Sequence, residues 1–362
     1  MNDPVLDDRA RAARVALQAT GRWVLAILAA LIIFSAFLIA KGAQPLDAYS
    51  DMWQTTFGGT SSFAEVLVKW TPILLTALAV AVPGRAGLFN IGGEGQFLLG
   101  AIGAAGMALT LDGRLTAAPT LLLMALGAAT LGGAWAAITA VLKVATRLSE
   151  AISTLLLNYV AVLLLEWLVN GPWKDPASLG FPQGRPVGEA GRFGVFGDTR
   201  LHVGVIVAVV VMFAMWVALR STAWGFHLRV AGGNAEAARR SGLRVGVLIV
   251  SAMAAGGALA GLAGMVQVAG VEGRIRPGMA VGVGFIGFLA SWMVRHHPLR
   301  VAISSLLLAA IAVGGDSLQI DSTLPAASIN VLMAFVLLAV LGSGTASGKS
   351  SSITSSTVQV AS

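Results

Sequence analysis

The sequence predicts an all-α protein that threads a membrane about ten times. Three observations support this. Over 362 residues the mean hydropathy is +0.82 and only 11% of residues are charged, against about 25% in a soluble domain. Apolar runs of spanning length recur along the chain, separated by short segments that hold most of the charge. The longest polar stretches, roughly 20–30 residues, are too short to fold as separate domains. The absence of cysteine excludes disulfides and thiolate metal sites. The net charge of +7 reads as basic cytoplasmic loops rather than a nucleic-acid surface.

Residues 1–22 hold Asp3, Asp7 and Asp8 and then Arg9, Arg11, Arg14 and Arg22, and read as a cytoplasmic arm, solvated or lying on lipid. Trp23–Ala40 is the first span: its apolar run exceeds that of a signal peptide, and no convincing cleavage site follows. Residues 41–62 read as a loop. Phe63–Val82 spans next and is broken at Pro83-Gly84-Arg85. Further spans are expected at about Leu88–Leu109, Thr116–Leu142, Ala151–Val169, Leu201–Leu219 and Gly246–Val271. Glycines 127, 132, 133, 256, 257, 261 and 264 mark close helix packing in two of these. Residues 170–200, with four prolines and seven glycines, read as an ordered outer loop without long helices. Met279–Val294 is short for a comfortable span, and both crossing and re-entrant readings stay open. Val301–Val313 and Leu324–Leu341 follow, with a polar link at Gly314–Ser322 between them. The membrane domain is thus 23–343, and the Ser/Gly/Thr-rich 344–362 reads as a disordered cytoplasmic tail. Ten crossings with both termini cytoplasmic place 15 of the 24 Lys and Arg residues inside.

The stretch GLFNIGGEGQFLLGA, Gly87–Ala101, cannot be an ordinary span. Each glycine inside a helix costs about 1 kcal/mol relative to alanine. A carboxylate at membrane depth costs about 3 kcal/mol or more without water or a partner. Broken backbone survives in a bilayer only where protein or a wet cavity solvates it. The stretch is therefore expected to line a polar path, with Asn90, Glu94, Gln96 and Asn158 as polar candidates and Phe89 and Trp292 as stacking surfaces. The short GVGFIGFLASWMV piece is a second Gly-broken element, and paired interrupted helices point to a midplane pathway.

Arg220–Arg244 is the most basic segment and lies within the cytoplasmic loop 220–245. In it Asn234 can cap a short helix, Ala235–Ser241, with Glu236 in the first turn, Arg239 and Arg240 in the last, and Gly242 as the C-terminal cap. Two caps and a small-residue face, including Ala238, suggest a docking knob for a soluble partner. No catalytic or metal-binding constellation is expected. His296-His297 are adjacent and do not face the same way. Ser343–Ser350 nearly matches a phosphate-binding loop, but no strand precedes it, so any ATP-driven activity belongs to another chain.

Gly87–Ala101 resembles the signature of permease subunits of ATP-binding cassette importers in the branched-chain amino acid, ribose and nucleoside group. Similar stretches are LSEAISTLLLNYVAVLLLEWLVNGPWKDP at 148–176, GFHLRVAGGNAEAARRSGLRV at 225–245, and 282–315. GGEGQ with LSE…LLLNY is most similar to the nucleoside and simple-sugar branch. That branch often carries N-P-x-A-A-x-x-A-G in the loop; here Ala235 and Ser241 replace its Pro and its last Ala. The resemblance implies a translocation path for nucleosides or related purines, with simple sugars as the alternative. It implies a coupling helix formed about Arg229, Gly232, Asn234, Glu236, Ala238, Arg239 and Gly242. It also implies ATPase subunits that bind the ATP, no cofactor on this chain, a second permease similar or identical to it, an external substrate-binding lipoprotein, and a bacterial inner membrane. An ion-coupled secondary transporter is the reading from another class, disfavoured by the shortage of paired intramembrane acids.

Overall fold

The computed structural model describes residues 4–345 apart from 280, 321–323 and 326. Among these, eight helices are long and apolar enough to cross a membrane, and two shorter apolar ones accompany them. The chain divides into two compact units, residues up to Trp53 with those from Gly314, and residues 54–313.

In the first unit, α1 (Pro4–Ala40) packs against α13 (Ala327–Thr345). The helix that carries the first span thus already begins at Pro4, with no helix end at residue 22. The sequence suggests a loop over 41–62; the chain instead forms α2 (Pro45–Phe57). Proline at the first helical position and Asp47 in the first turn both favour a helix there. The Tyr49 hydroxyl donates to the Leu31 carbonyl at 2.7 Å, tying α2 to α1. The polar link expected at Gly314–Ser322 is likewise helical as far as Ile320, because α12 runs Pro298–Ile320. Most of the tail, from residue 346, lies outside the described residues.

The second unit is built around α4 (Gly93–Leu111), α5 (Ala117–Thr146) and α10 (Val245–Val266), which pack on one another, with α3 (Thr60–Gly84) against α10. Glycine permits this closeness. A Cβ at Gly100 would fall 2.1 Å from the Cα of Gly261, and one at Gly257 would fall 2.3 Å from the Gly132 carbonyl oxygen. Backbone meets backbone, the arrangement small residues allow in membranes. Helix α6 (Glu150–Asn170) packs beside α4, and α7 (Gly204–Ser221) beside α3. The loop between α6 and α7 contains only one short 3₁₀ turn, Glu189–Gly191. It is fastened to the chain after α10: Val187 N donates to Gly273 O at 2.8 Å, Gly184 N to Ile275 O at 2.9 Å, and Arg274 pairs with Asp175 at 3.1 Å.

Three boundaries differ from the sequence reading. Helix α4 starts at Gly93, so Leu88–Gly92 is non-helical. The basic loop carries two helices, α8 (Ala223–Gly233) and α9 (Ala235–Arg240); Thr222 caps the first through its side-chain oxygen. The short apolar piece forms α11 (Val283–Met293), about 16 Å long at 1.5 Å per residue and half a bilayer's hydrocarbon depth.

Substituting Gly261→Val should wedge α10 away from α5, since a Cβ there already lies 2.2 Å from the Ala128 carbonyl oxygen. Overpacking of this kind costs about 1–3 kcal/mol. A lowered unfolding temperature in detergent is expected, and an unchanged one would contradict the packing described.

Candidate functional site: the interrupted helices and the capped loop

The chain leaves α3 through a tight turn in which Leu88 N donates to Pro83 O at 3.1 Å and Gly87 has φ +73°. It then runs back beside α3 before α4 begins. Non-helical backbone here has N–H and C=O groups that need partners. One face of α6 supplies them. Glu150 Oε1 accepts from Phe89 N at 3.2 Å, and Thr154 Oγ1 accepts from Ile91 N at 3.3 Å. Asn158 accepts from Gly95 N at 2.8 Å and donates to Ile91 O at 3.0 Å. These three side chains are four residues apart, the spacing that stacks them on one helical face. Lys143 pairs with Glu150 from the end of α5.

Asn90 and Gln96 complete the arrangement from within. Asn90 Nδ2 donates to Gln96 Oε1 at 2.9 Å and Gln96 Nε2 donates back to Asn90 Oδ1 at 2.8 Å. Asn90 also donates to Ala79 O on α3 at 3.1 Å. Both amides are buried, as is Asn158. The glycines are needed for this approach: a Cβ at Gly92 would meet Thr154, and one at Gly95 would meet Asn158, both at 2.9 Å.

The starts of α4 and α11 meet. A Cβ at Gly284 would fall 2.2 Å from the Glu94 backbone nitrogen. Glu94 Oε1 accepts from Gly282 N, the cap residue of α11, at 3.3 Å, while its Oε2 is buried without a partner. The N-terminal end of a helix favours a negative group, so the carboxylate sits where the α11 dipole stabilises it. Thr76 on α3 reaches the Val283 carbonyl at 3.3 Å. Thr76 lies eight residues before the end of α3, about 12 Å along its axis. The meeting point is therefore well inside the span, and α11 leads from it toward the end of α3. Phe89 is 44% exposed and stacks on Trp292 with ring centroids 5.3 Å apart.

All six path candidates thus gather around one break, in two groups. Asn90, Gln96 and Asn158 spend their polar atoms on backbone and on each other. Glu94, Phe89 and Trp292 keep surface or an unpartnered polar atom. Glu150 and Thr154 escaped the sequence reading, although their four-residue spacing from Asn158 was visible in LSEAISTLLLNY.

The basic loop is self-contained. Asn234 Oδ1 accepts from Glu236 N at 3.0 Å and Ala237 N at 2.9 Å. Gly242, at φ +84°, closes the other end with its N–H on Arg239 O, and Leu243 N donates to Ala238 O. Glu236 pairs with Arg239 and Arg240 at 3.5 and 3.2 Å, exposed contacts worth a few tenths of a kcal/mol. Ala238 is fully buried, so it seats α9 on its own chain, and the outward face is Glu236, Ala237, Arg239 and Arg240. Arg229 donates to the Leu219 carbonyl and so ties α8 to the end of α7. Near the same end, burial and the neighbouring Arg85 push His296 down to about 4, so its ring is neutral at physiological pH.

Discontinuous helices that meet inside the span, each held by neighbouring helices, are the architecture many membrane transport proteins use. Residues 62–341 match the family described as the permease component of branched-chain amino acid transport systems, and the chain belongs to that family. It is 35% identical over 333 residues to the glucose ABC transporter permease protein TsgB13 of Haloferax volcanii, covering 88% of this chain and 86% of that one. It is 30% identical over 331 residues to the guanosine ABC transporter permease protein NupP of Bacillus subtilis, covering 88% and 92%. It is 24% identical over 325 residues to the nucleoside ABC transporter permease protein NupB of Lactococcus lactis, covering 87% and 88%. The chain is a multi-pass transport subunit rather than an enzyme.

Replacing Asn158 with Leu removes both of its bonds and leaves Gly95 N and Ile91 O unpaired, each costing about 1–3 kcal/mol. A marked drop in unfolding temperature is expected, larger than for Leu in place of the exposed neighbour Tyr159. Equal effects of the two substitutions would contradict the role given to Asn158.

Proposed function

We propose that this chain forms the translocation path of an ATP-driven importer for nucleosides or related purines in a bacterial inner membrane. The observation that carries the reading is the meeting of the α4 and α11 starts at Glu94, well inside the span. A carboxylate there can accept hydrogen bonds from the hydroxyls of an uncharged cargo, and Phe89 and Trp292 offer apolar ring faces to a base. The firmly paired Asn90, Gln96 and Asn158 act by holding the backbone in place rather than by meeting cargo. Weak binding suits a path that must release its cargo, so affinity would reside in an external binding lipoprotein.

The exposed face of α9, with Glu236, Arg239 and Arg240, is the docking surface for a separate ATPase, and Asn234, Ala238 and Gly242 keep that helix in shape. ATP is bound by the ATPase subunits, and no cofactor belongs to this chain. Both termini are cytoplasmic, and a second permease, similar or identical, completes the path between the two. The guanosine and nucleoside permeases among the relatives support the purine reading. The 35% identity to a glucose permease favours simple sugars as the second reading.

The test is uptake of labelled guanosine, adenosine, ribose and glucose by vesicles holding the chain with its ATPase, second permease and binding protein. Vanadate-sensitive uptake of a nucleoside is expected, and Glu94→Gln should lower it by about tenfold, the equivalent of one strong hydrogen bond. Sugar uptake alone would move the assignment to the second reading. Uptake insensitive to vanadate but abolished by a protonophore would overturn the ATP-driven reading.

A further inference from the structure

The end of α8 meets the break between α3 and α4 without any side chain between them. A Cβ at Gly232 would fall 2.3 Å from the Arg85 carbonyl oxygen and 3.0 Å from the Ala86 carbonyl carbon. A Cβ at Gly87 would fall 3.4 Å from the Gly232 carbonyl oxygen. Such a backbone joint has no rotamers to absorb a displacement. Gly232 lies two residues before Asn234, the cap of α9. Gly87 lies two residues before Phe89. The route from the cap of α9 to Phe89 thus runs through one backbone contact and four residues of chain.

The ring that Phe89 stacks on stands on a stiff base. Trp292 meets His296 edge-on at 4.9 Å. His296 holds a left-handed backbone, φ +59°, fixed by its N–H on Ser291 O at 2.9 Å and by its Nδ1 with Ser291 Oγ at 2.9 Å. Its ring also fills the space that a side chain at residue 84 would need, 2.7 Å from an added Cβ. One partner of the stack is thus anchored to the end of α11, and the other sits on the segment that touches α8, with its own N–H on Glu150 of α6. The stack also stands between Glu94 and the α9 end, since Trp292 lies ten residues along α11 from Gly282, about 15 Å.

We propose that the Phe89–Trp292 pair is the inner gate of the path, and that the Gly232–Ala86 joint carries the motion of α9 to it. The gate is a weak latch of two rings, stacked on each other in this structure. Moving α8 and α9 shifts Arg85–Leu88, slides Phe89 off Trp292 and opens the way from Glu94 to the α9 end. The inference rests on the reading of α9 as the ATPase docking helix. Unlike Glu236, Arg239 and Arg240, Gly232 acts in transmission rather than in docking.

The experiment reconstitutes the full complex in liposomes with wild-type chain, Phe89→Ala, Gly232→Ala and Gly233→Ala. An added Cβ at Gly233 meets nothing within 4 Å, so that variant repeats the Gly-to-Ala change without touching the joint. Phe89→Ala should raise ATP-independent leak of preloaded cargo by about tenfold, as expected for losing one stacked pair. Gly232→Ala should still co-purify with the ATPase and hydrolyse ATP, yet lose uptake by about tenfold or more, while Gly233→Ala transports normally. Leak from Phe89→Ala equal to wild type would overturn the gate. Normal uptake by Gly232→Ala, or equal loss in both glycine variants, would overturn the joint. If Gly232→Ala fails to fold, Gly87→Asn, a side chain that tolerates the left-handed φ of +73°, tests the same joint from its other side by the same readout. Failure of wild-type chain to bind the ATPase would instead overturn the docking reading.

Discussion

The structure depends on one constraint: five residues of non-helical backbone inside a membrane protein must have every N–H and C=O group met. The α6 face of Glu150, Thr154 and Asn158 meets that demand for Phe89, Ile91 and Gly95. Without it the glycine-rich stretch would be either a weak continuous helix or a set of unpaired polar groups in hydrocarbon. With it, α4 can begin part-way through the span and bring its dipole end beside that of α11. The same satisfaction lets Glu94 stay half-buried with one oxygen on Gly282 N and the other free of any partner.

Much of this was legible in the sequence, for identifiable reasons. Apolar runs announced the spans because their hydropathy is nearly independent of neighbours. Asn234, Glu236 and Gly242 announced the capped helix because caps are local chemistry, and both caps are formed as read. The glycines of α5 and α10 announced close packing, which the contacts of Gly132, Gly257 and Gly261 display. What the sequence hid was tertiary. Nothing local to Glu150 says that its carboxylate reaches residue 89. The apolar residues Leu88, Phe89 and Ile91 predict a start of α4 five residues early, and the bonds to α6 and α3 keep that stretch extended. Asp47, Ser50 and Asp51 interrupt the apolar pattern of α2 and hide it in the sequence.

The division of labour among polar residues also changes the meaning of intramembrane amides. Asn90, Gln96 and Asn158 had seemed equal to Glu94 as contacts for cargo. Their hydrogen bonds are spent on the scaffold, so rigidity is their contribution. On the proposed reading this leaves a sparse site, one carboxylate and two rings, suited to uncharged cargo that must not be held tightly. At the other end of the break, Ala238 turns inward and leaves the charged face of α9 outward. The two regions are joined by a backbone contact at glycine rather than by a chain of side chains.

The central claim is that the scaffold on α6 holds Glu94 at the edge of a wet path. The chain has no cysteine, so a single Glu94→Cys thiol can be read against a silent background. A small, water-soluble thiol reagent should modify that cysteine in folded, liposome-embedded protein, and Asn158→Leu should alter the rate. A thiol that stays unreactive until the protein is unfolded would contradict it.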